Sequence, residues 1–326
     1  MGRIVFFGLK DYWKEYLENR ILDQRVSFYK ENFVLNEDTK EAEILGTFVF
    51  SVLDKKTLEQ FPNLKLITSM SAGFDHIDLD YCRERGIVVT NAPKYGTHTV
   101  AETAFSLLLN LSRKTNYAIE RTKKGNLDFE GLLGFDLKGK TIGVIGTGNI
   151  GQEAIRIANG FGMNVKAYDA FPRKELEEQL NFKYVSLDEL LQCNIITIHV
   201  PYMKQTHHLL DEEVFSKMKD TVIINTSRGE VIDTEALIRA LDKGNVKAAG
   251  LDVLEGERML KTKTKDFTVK EKTQKQWFDN LRYRDNVLIT PHLAFYTEEA
   301  LTRILDTTLE NIYDYIEERG MKNKVN

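Results

Sequence analysis

Short apolar, β-branched runs alternate with segments of helical period in two successive series, and that alternation restricts the fold of this chain more than any other feature. In the first series, Arg3–Leu9, Val26–Lys30, Ile44–Phe50, Leu64–Met70 and Ile87–Asn91 predict strands. Helical stretches are expected between them near Asp11–Arg20, Leu53–Phe61 and Leu79–Arg85. Parallel neighbours need crossover helices, so the pattern predicts βα units and a largely parallel sheet. Five such strands fit a flavodoxin-like domain. Val100, Ala104, Leu107, Leu108 and Leu111 then recur at three- and four-residue spacing and predict one long helix from about Thr99 to Lys124.

The second series predicts strands at Thr141–Ile145, Asn164–Asp169, Ile195–Val200, Thr221–Thr226, Ala248–Val253 and Val287–Thr290. A last helix, about Glu298–Glu318, has no strand left to cover there and is expected to return to the first domain. The fold class is therefore α/β, with two Rossmann/flavodoxin-like domains, parallel sheets and an active-site cleft between them. A chain of 326 residues also exceeds what one core usually serves. The expected boundaries are 1–98, completed by 294–326, and 99–293, with hinges near Thr97–Thr99 and Ala294–Thr297.

Lys261–Arg284 interrupts the alternation and reads as a surface insertion or functional loop, ending in Trp277, Phe278 and Leu281. Lys261, Lys263, Lys265, Lys270 and Lys272 cluster there, but interleaved acidic residues and threonines make this a solvated segment rather than a binding patch. The formal net charge of −4 gives no broad electrostatic attraction to nucleic acid or an anionic membrane. No apolar run approaches the roughly 20 residues needed to span a bilayer. Cys82 and Cys193 lie far apart in no metal-ligand spacing and read as buried or half-buried thiols of a reducing compartment. With a strand directly after Met1 and no leader-like segment, a cytoplasmic location is expected and no metal site is.

Gly146-Thr147-Gly148-Asn149-Ile150-Gly151 matches G-x-G-x-x-G between a buried-strand run and the helical stretch Gln152–Phe161. Gly146 would allow the tight turn, Gly148 the approach of a pyrophosphate, and Gly151 close helix–strand packing. The helix start would face the phosphates with N–H groups and a favourable dipole. Asp169, at the end of the next strand, would accept the ribose hydroxyls and repel a 2′-phosphate, favouring NAD over NADP. Arg173, four residues on, tempers that preference. The alternative is a glycine turn beside a solvated carboxylate.

Arg228, Glu257 and His292 each follow a strand of the second series, at the edge where open α/β sheets bind ligands. A guanidinium there can fork onto a substrate carboxylate and ketone oxygen. An imidazole can give the ketone a proton, and a carboxylate bonded to it would fix its tautomer and favour its charged form. Singly, the three also read as a surface ion pair, a loop carboxylate and a cap beside Pro291.

Gly73-Phe74-Asp75-His76-Ile77-Asp78, Val100-Ala101-Glu102, Val144–Gly151, His199-Val200-Pro201, Asn225-Thr226-Ser227-Arg228-Gly229, Leu251-Asp252-Val253 and Thr290-Pro291-His292 together resemble the D-specific 2-hydroxyacid dehydrogenase family over essentially the whole chain. The resemblance implies that Arg228 binds substrate and that Glu257 and His292 form the acid–base pair. It selects Glu257 over Glu255, because the family's Glu lies five residues after the Asp of its Asp-Val motif. It also implies cofactor contacts at Asn149, Ile150, Asp169, Val200, Pro201, Thr206, Thr226, Ser227 and Asp252, and a substrate-carboxylate site at the N–H groups of Ala72 and Gly73. Asn91–Tyr95, Ala294–Thr297 and the insertion after Glu257 are similar to the D-lactate dehydrogenase branch, implying substrate contacts at Tyr95, Phe295 and Tyr296.

The resemblance further implies NAD as cofactor, a small 2-oxoacid or 2-hydroxyacid as substrate, and a homodimer formed through the NAD domain. Pyruvate to D-lactate is the first expectation, and a larger 2-oxoacid such as 2-oxoisocaproate or phenylpyruvate is the second. An NAD-sensing binding protein, like corepressors of this fold, is the rival from another class. Formate dehydrogenase is disfavoured because that relative pairs its His with Gln. His207, His208 and His199 read as loop or packed residues. His76 and His98 are expected to be structural, and Phe48 and Phe50 fit either a pocket wall or the core.

Overall fold

The computed structural model of the protein describes residues 2–21, 25–257 and 268–326. Its chain divides into two compact units, Met1–Tyr95 with Tyr296–Asn326, and Gly96–Phe295.

The first unit carries five parallel strands, β1 (Arg3–Phe6), β2 (Arg25–Phe28), β3 (Ala42–Thr47), β4 (Leu66–Ser69) and β5 (Val88–Thr90), in the order β2-β1-β3-β4-β5. This is the flavodoxin-like order expected from five βα repeats. Phe7, Leu45, Leu58, Phe61, Ile67 and Val89 fill one face with essentially no exposed surface. The helix Glu298–Ile316 packs on β4 and on the helix Asp11–Glu18 of the same unit. Beyond it the chain runs back antiparallel to β5: Asn91 N donates to Asn323 O at 3.1 Å and Val325 N to Val89 O at 2.9 Å. That pairing covers a strand edge that would otherwise present unpaired backbone.

The second unit carries seven parallel strands: β6 (Thr141–Ile145), β7 (Asn164–Tyr168), β8 (Lys183–Tyr184), β9 (Ile195–Ile198), β10 (Thr221–Asn225), β11 (Val246–Leu251) and β12 (Val287–Ile289). Their order is β12-β11-β10-β9-β6-β7-β8, so the direction of winding reverses beside β6. Two apolar layers flank the sheet, one built around Leu107, Leu108, Val144, Ile155 and Ile224, the other around Ile196, Phe215, Ile223, Leu237 and Leu251. Near-continuous burial along β9 and β10 is what a sheet covered on both faces requires.

Three expectations need correction. The single helix predicted from Thr99 to Lys124 is two helices, Thr97–Arg113 and Thr115–Lys123, separated by Lys114 in the left-handed region at φ 50°. The carbonyl of Ser112 accepts from Phe135 N at 2.9 Å instead of continuing the helix, a long-range bond that no local pattern announces. The predicted excursion Lys261–Arg284 contains a helix, Val269–Arg282, opened by a capping box between Thr268 and Glu271 and anchored by buried Leu281. Lys261, Lys263 and Lys265 lie outside the described residues, whereas Lys270 and Lys272 are on that helix. Finally, β8 was missed because two residues are too short for a periodicity to register.

Candidate active site

The C-terminal ends of all seven strands of the second unit lie along one edge of the sheet, and the site residues of that unit follow these ends. After β6, Gly146 turns the chain at φ 93°, and a Cβ there would lie 2.6 Å from the carbonyl oxygen of His199. A Cβ on Gly151 would lie 1.9 Å from Gly146 O, so only glycine lets the helix meet the strand. A Cβ on Gly148 would meet nothing within 4 Å. That open backbone is what a pyrophosphate needs to approach, and the 12-residue helix Asn149–Gly160 begins beside it. Asn149, Ile150 and Gly151 form the first turn of this helix, which starts three residues earlier than expected.

Asp169 follows β7 and is held firmly. Its Oδ2 accepts from Thr147 N at 2.7 Å and Thr147 Oγ1 at 2.8 Å, and its Oδ1 accepts from Phe171 N at 2.9 Å. Burial alone would raise this carboxyl, but those donors and Arg173 outweigh it and hold the pKa below the ordinary value. Val200 and Pro201 follow β9, where the Thr206 hydroxyl closes the loop by donating to Pro201 O at 2.7 Å. Thr226 and Ser227 follow β10. The Thr226 hydroxyl is buried and, among the described residues, has no hydrogen-bond partner. An orphaned buried hydroxyl and an open glycine backbone at the same sheet edge suit a polar ligand, so the residues present fit a dinucleotide.

Arg228, Glu257 and His292 follow β10, β11 and β12, three adjacent strands. The loops that carry them are locked together. A Cβ on Gly229 would lie 2.0 Å from Leu254 C, so the glycine after Arg228 lets the β10 and β11 loops touch. Asn225 braces the Arg228 turn, its Oδ1 accepting from Ser227 N at 3.0 Å and its Nδ2 donating to Arg228 O at 2.9 Å. Glu257 Oε1 lies in a short contact with Nδ1 of His292, and both side chains are largely shielded, 19% and 16% exposed. The carboxylate thus engages the Nδ1 side of the imidazole.

His292 takes a left-handed conformation at φ 57°, which a non-glycine residue adopts only when its surroundings impose it. Those surroundings centre on Asp252, which is fully buried. Its Oδ1 accepts from Thr290 Oγ1 at 2.5 Å and Leu293 N at 2.9 Å, its Oδ2 accepts from Ala294 N at 2.9 Å, and its carbonyl accepts from His292 N at 2.9 Å. Burying a carboxylate costs several kcal/mol, and donors worth roughly 1.5–3 kcal/mol each offset it. Asp252 thus fastens the histidine loop. Sequence reasoning missed this work of Asp252, and missed Thr147, Tyr184, Asn225 and Gly229 as supports. Only their places next to motif residues carried any signal.

In the first unit, Ala72 and Gly73 follow β4 and Tyr95 follows β5, its neighbour. The carbonyls of that loop are tied down, Ala72 O by Asn91 Nδ2 at 2.8 Å and Gly73 O by Ser71 Oγ at 2.6 Å, so its N–H groups are the donors it can offer. Tyr95 O accepts from Arg303 Nε at 2.7 Å. Phe295, of the second unit, is buried with its ring nearly perpendicular to that of His292 at a centroid distance of 6.5 Å, and Tyr296 is exposed.

His199 follows β9 rather than lying in it, bonded to Thr197 Oγ1 at 2.9 Å, and burial pushes its imidazole down to about 4. His207 stacks on His208 at 4.0 Å, exposed His98 pairs with Glu153 at 3.2 Å, and His76 is buried. Phe48 is buried against Trp13 just beyond β3. Both cysteines are buried, and burial pushes each thiol up to about 11. No helix among the described residues is long and apolar enough to cross a membrane, and no group of His, Cys, Asp or Glu among them could hold a metal ion.

Comparison with known proteins gives this geometry its chemical meaning. Residues 105–294 match the family model described as D-isomer specific 2-hydroxyacid dehydrogenase, NAD binding domain. The chain is 42% identical over 321 residues to a 2-hydroxyacid dehydrogenase homolog of Haemophilus influenzae, covering 95% of each. It is 38% identical over 320 residues to the D-lactate dehydrogenase of Escherichia coli, again covering 95% of each. The crystal structure of D-lactate dehydrogenase from Aquifex aeolicus complexed with NAD and lactic acid superposes with a TM-score of 0.89 at 38% identity, over 99% of this chain and 98% of that one. This chain therefore belongs to the D-isomer specific 2-hydroxyacid dehydrogenase family and is an NAD-dependent oxidoreductase acting on 2-hydroxyacids.

Proposed function

We propose that the protein is a D-lactate dehydrogenase that reduces pyruvate to D-lactate with NADH, and that Arg228, Glu257 and His292 perform the chemistry. The observation that carries this reading is the Glu257–His292 pair, which with Arg228 follows the ends of three adjacent strands. The names of the Escherichia coli and Aquifex aeolicus relatives support lactate as the product.

The Gly146–Gly151 turn and Asp169 would hold NADH, which would supply the hydride. Arg228 forks onto the substrate carboxylate and ketone oxygen, which orients the carbonyl and draws electron density from its carbon. Nε2 of His292 gives its proton to the ketone oxygen as negative charge builds there. Glu257, on Nδ1, keeps the ring in the right tautomer and stabilises the imidazolium. For oxidation the same atoms work in reverse, with neutral His292 taking the hydroxyl proton. The N–H groups of Ala72 and Gly73 hold the far side of the carboxylate, and Tyr95, Phe295 and Tyr296 line the substrate side chain.

The first unit serves the substrate and the second serves NAD. We place the reaction in the cytoplasm, where two buried free thiols are at home. The active form is a homodimer joined through the second unit. Leu127, Phe129 and Leu133 there are more than 80% exposed, and the same unit carries an apolar groove lined by Phe105, Leu109, Ile157 and Phe161.

Relative kcat/KM for pyruvate, 2-oxoisocaproate, phenylpyruvate, glyoxylate and hydroxypyruvate, with chiral analysis of the product, tests the reading. Pyruvate is expected to lead and to give D-lactate. A larger 2-oxoacid ahead of pyruvate would reassign the substrate, and no turnover with any of them would overturn the enzymatic role.

A further inference from the structure

The carboxylate of Asp169 terminates a hydrogen-bond chain whose direction follows from chemistry alone. Thr147 Oγ1 lies 2.8 Å from Asp169 Oδ2 and 2.8 Å from Tyr184 OH, and Arg173 N lies 3.3 Å from the same phenol oxygen. An ionised carboxylate can only accept, so Thr147 must spend its single hydroxyl proton on Asp169. Tyr184 must then donate to Thr147, and its oxygen accepts from the Arg173 N–H. The guanidinium of Arg173 closes the loop by donating to Thr147 O at 3.0 Å. Each bond polarises the next in the same sense.

With Thr147 N and Phe171 N also bound, Asp169 receives three donors for about four acceptor positions. It cannot swing away without breaking these three bonds, and one acceptor position is left for a ligand donor. A ribose diol brings donors and is welcome. A 2′-phosphate brings only charge and acceptors, and relief would require Asp169 to swing away and leave Arg173 to meet the phosphate.

We propose that Thr147 and Tyr184 are positioning residues that set the preference for NADH over NADPH by locking Asp169 as a fixed acceptor. Thr147 acts through Asp169, and Tyr184 acts through Thr147. The inference depends on the dinucleotide turn and not on which 2-oxoacid is reduced.

Dissociation constants for NADH and NADPH, measured by fluorescence titration on the wild type, Thr147→Val, Thr147→Ser, Tyr184→Phe and the Val/Phe double variant, test it. Thr147→Val is expected to weaken NADH about tenfold without weakening NADPH, so that the preference falls about tenfold. Tyr184→Phe should shift the preference the same way by about threefold. Thr147→Ser should restore it, and the double variant should match Thr147→Val alone because the two act in series. Equal weakening of both coenzymes, an unchanged preference in Tyr184→Phe, failure of serine to rescue, or full additivity in the double variant would each overturn the proposal. Tyr184→Phe and Thr147→Ser keep the test decisive even where valine disturbs the turn.

Discussion

Asp252 shows how much of the chemistry depends on a residue that need not take part in it. Three donors and the His292 N–H converge on it, and they impose the left-handed turn that aims the imidazole. Asp252→Asn keeps the size but replaces an acceptor with an NH2 that must face a donor. A displacement of about 1 Å at His292 is enough to cost roughly a hundredfold in kcat. We expect that loss in Asp252→Asn, measured by steady-state reduction of pyruvate, whereas near-normal kcat would show that the loop holds without the carboxylate.

His199 carries a different prediction. Burial lowers its folded pKa from 6.5 to about 4, so the unfolded chain binds a proton that the folded chain refuses between those values. Stability from this group is complete above about pH 6.5 and is lost as the pH falls toward 4. Tm should therefore drop on acidification across that window, and more gently in His199→Gln. Equal slopes in both proteins would refute it. At this scale the glycines of the dinucleotide turn were legible, because each answers a steric demand that a motif encodes. Thr147 and Tyr184 were not, since a hydroxyl chain leaves no spacing rule.

Among the elements, strands were read well and their connections less so. Apolar β-branched runs reflect burial on two faces, a local property, and eleven of the twelve observed strands coincide with predicted runs, which often extend a residue or two beyond them. Lys114 was misread because its break answers a bond between Ser112 and Phe135, distant in sequence. Caps rest on purely local bonds. Asp233 accepts from Ala236 N at 2.9 Å and opens the helix Thr234–Lys243, which packs behind β11. Removing that acceptor in Asp233→Ala should destabilise the protein by about 1 kcal/mol, read as a lower denaturant midpoint at unchanged m. An unchanged midpoint would mean that packing alone holds the helix start.

For the whole molecule, the exposed side chains of Leu127, Phe129 and Leu133 are the feature that most needs a partner. The main chain beneath them is pinned, with Arg121 donating to Glu130 O and Lys114 Nζ to Gly131 O at 2.6 and 2.8 Å, so the segment is presented rather than loose. A dimer of this chain should sediment as a monomer once Phe129 and Leu133 are changed to Asp. A wild type that is already monomeric, or a variant that remains dimeric, would remove this surface from the assembly.

The glycine turn follows β6 and His292 follows β12, at separate places along one sheet edge, so coenzyme affinity and turnover are separable in His292→Gln. The NADH dissociation constant and the single-turnover rate of NADH oxidation by pyruvate should part company there. We predict affinity within about threefold of wild type and a rate lower by at least about a hundredfold, as expected when a general acid is removed. A rate close to that of wild type would contradict the assignment of His292 as the proton donor.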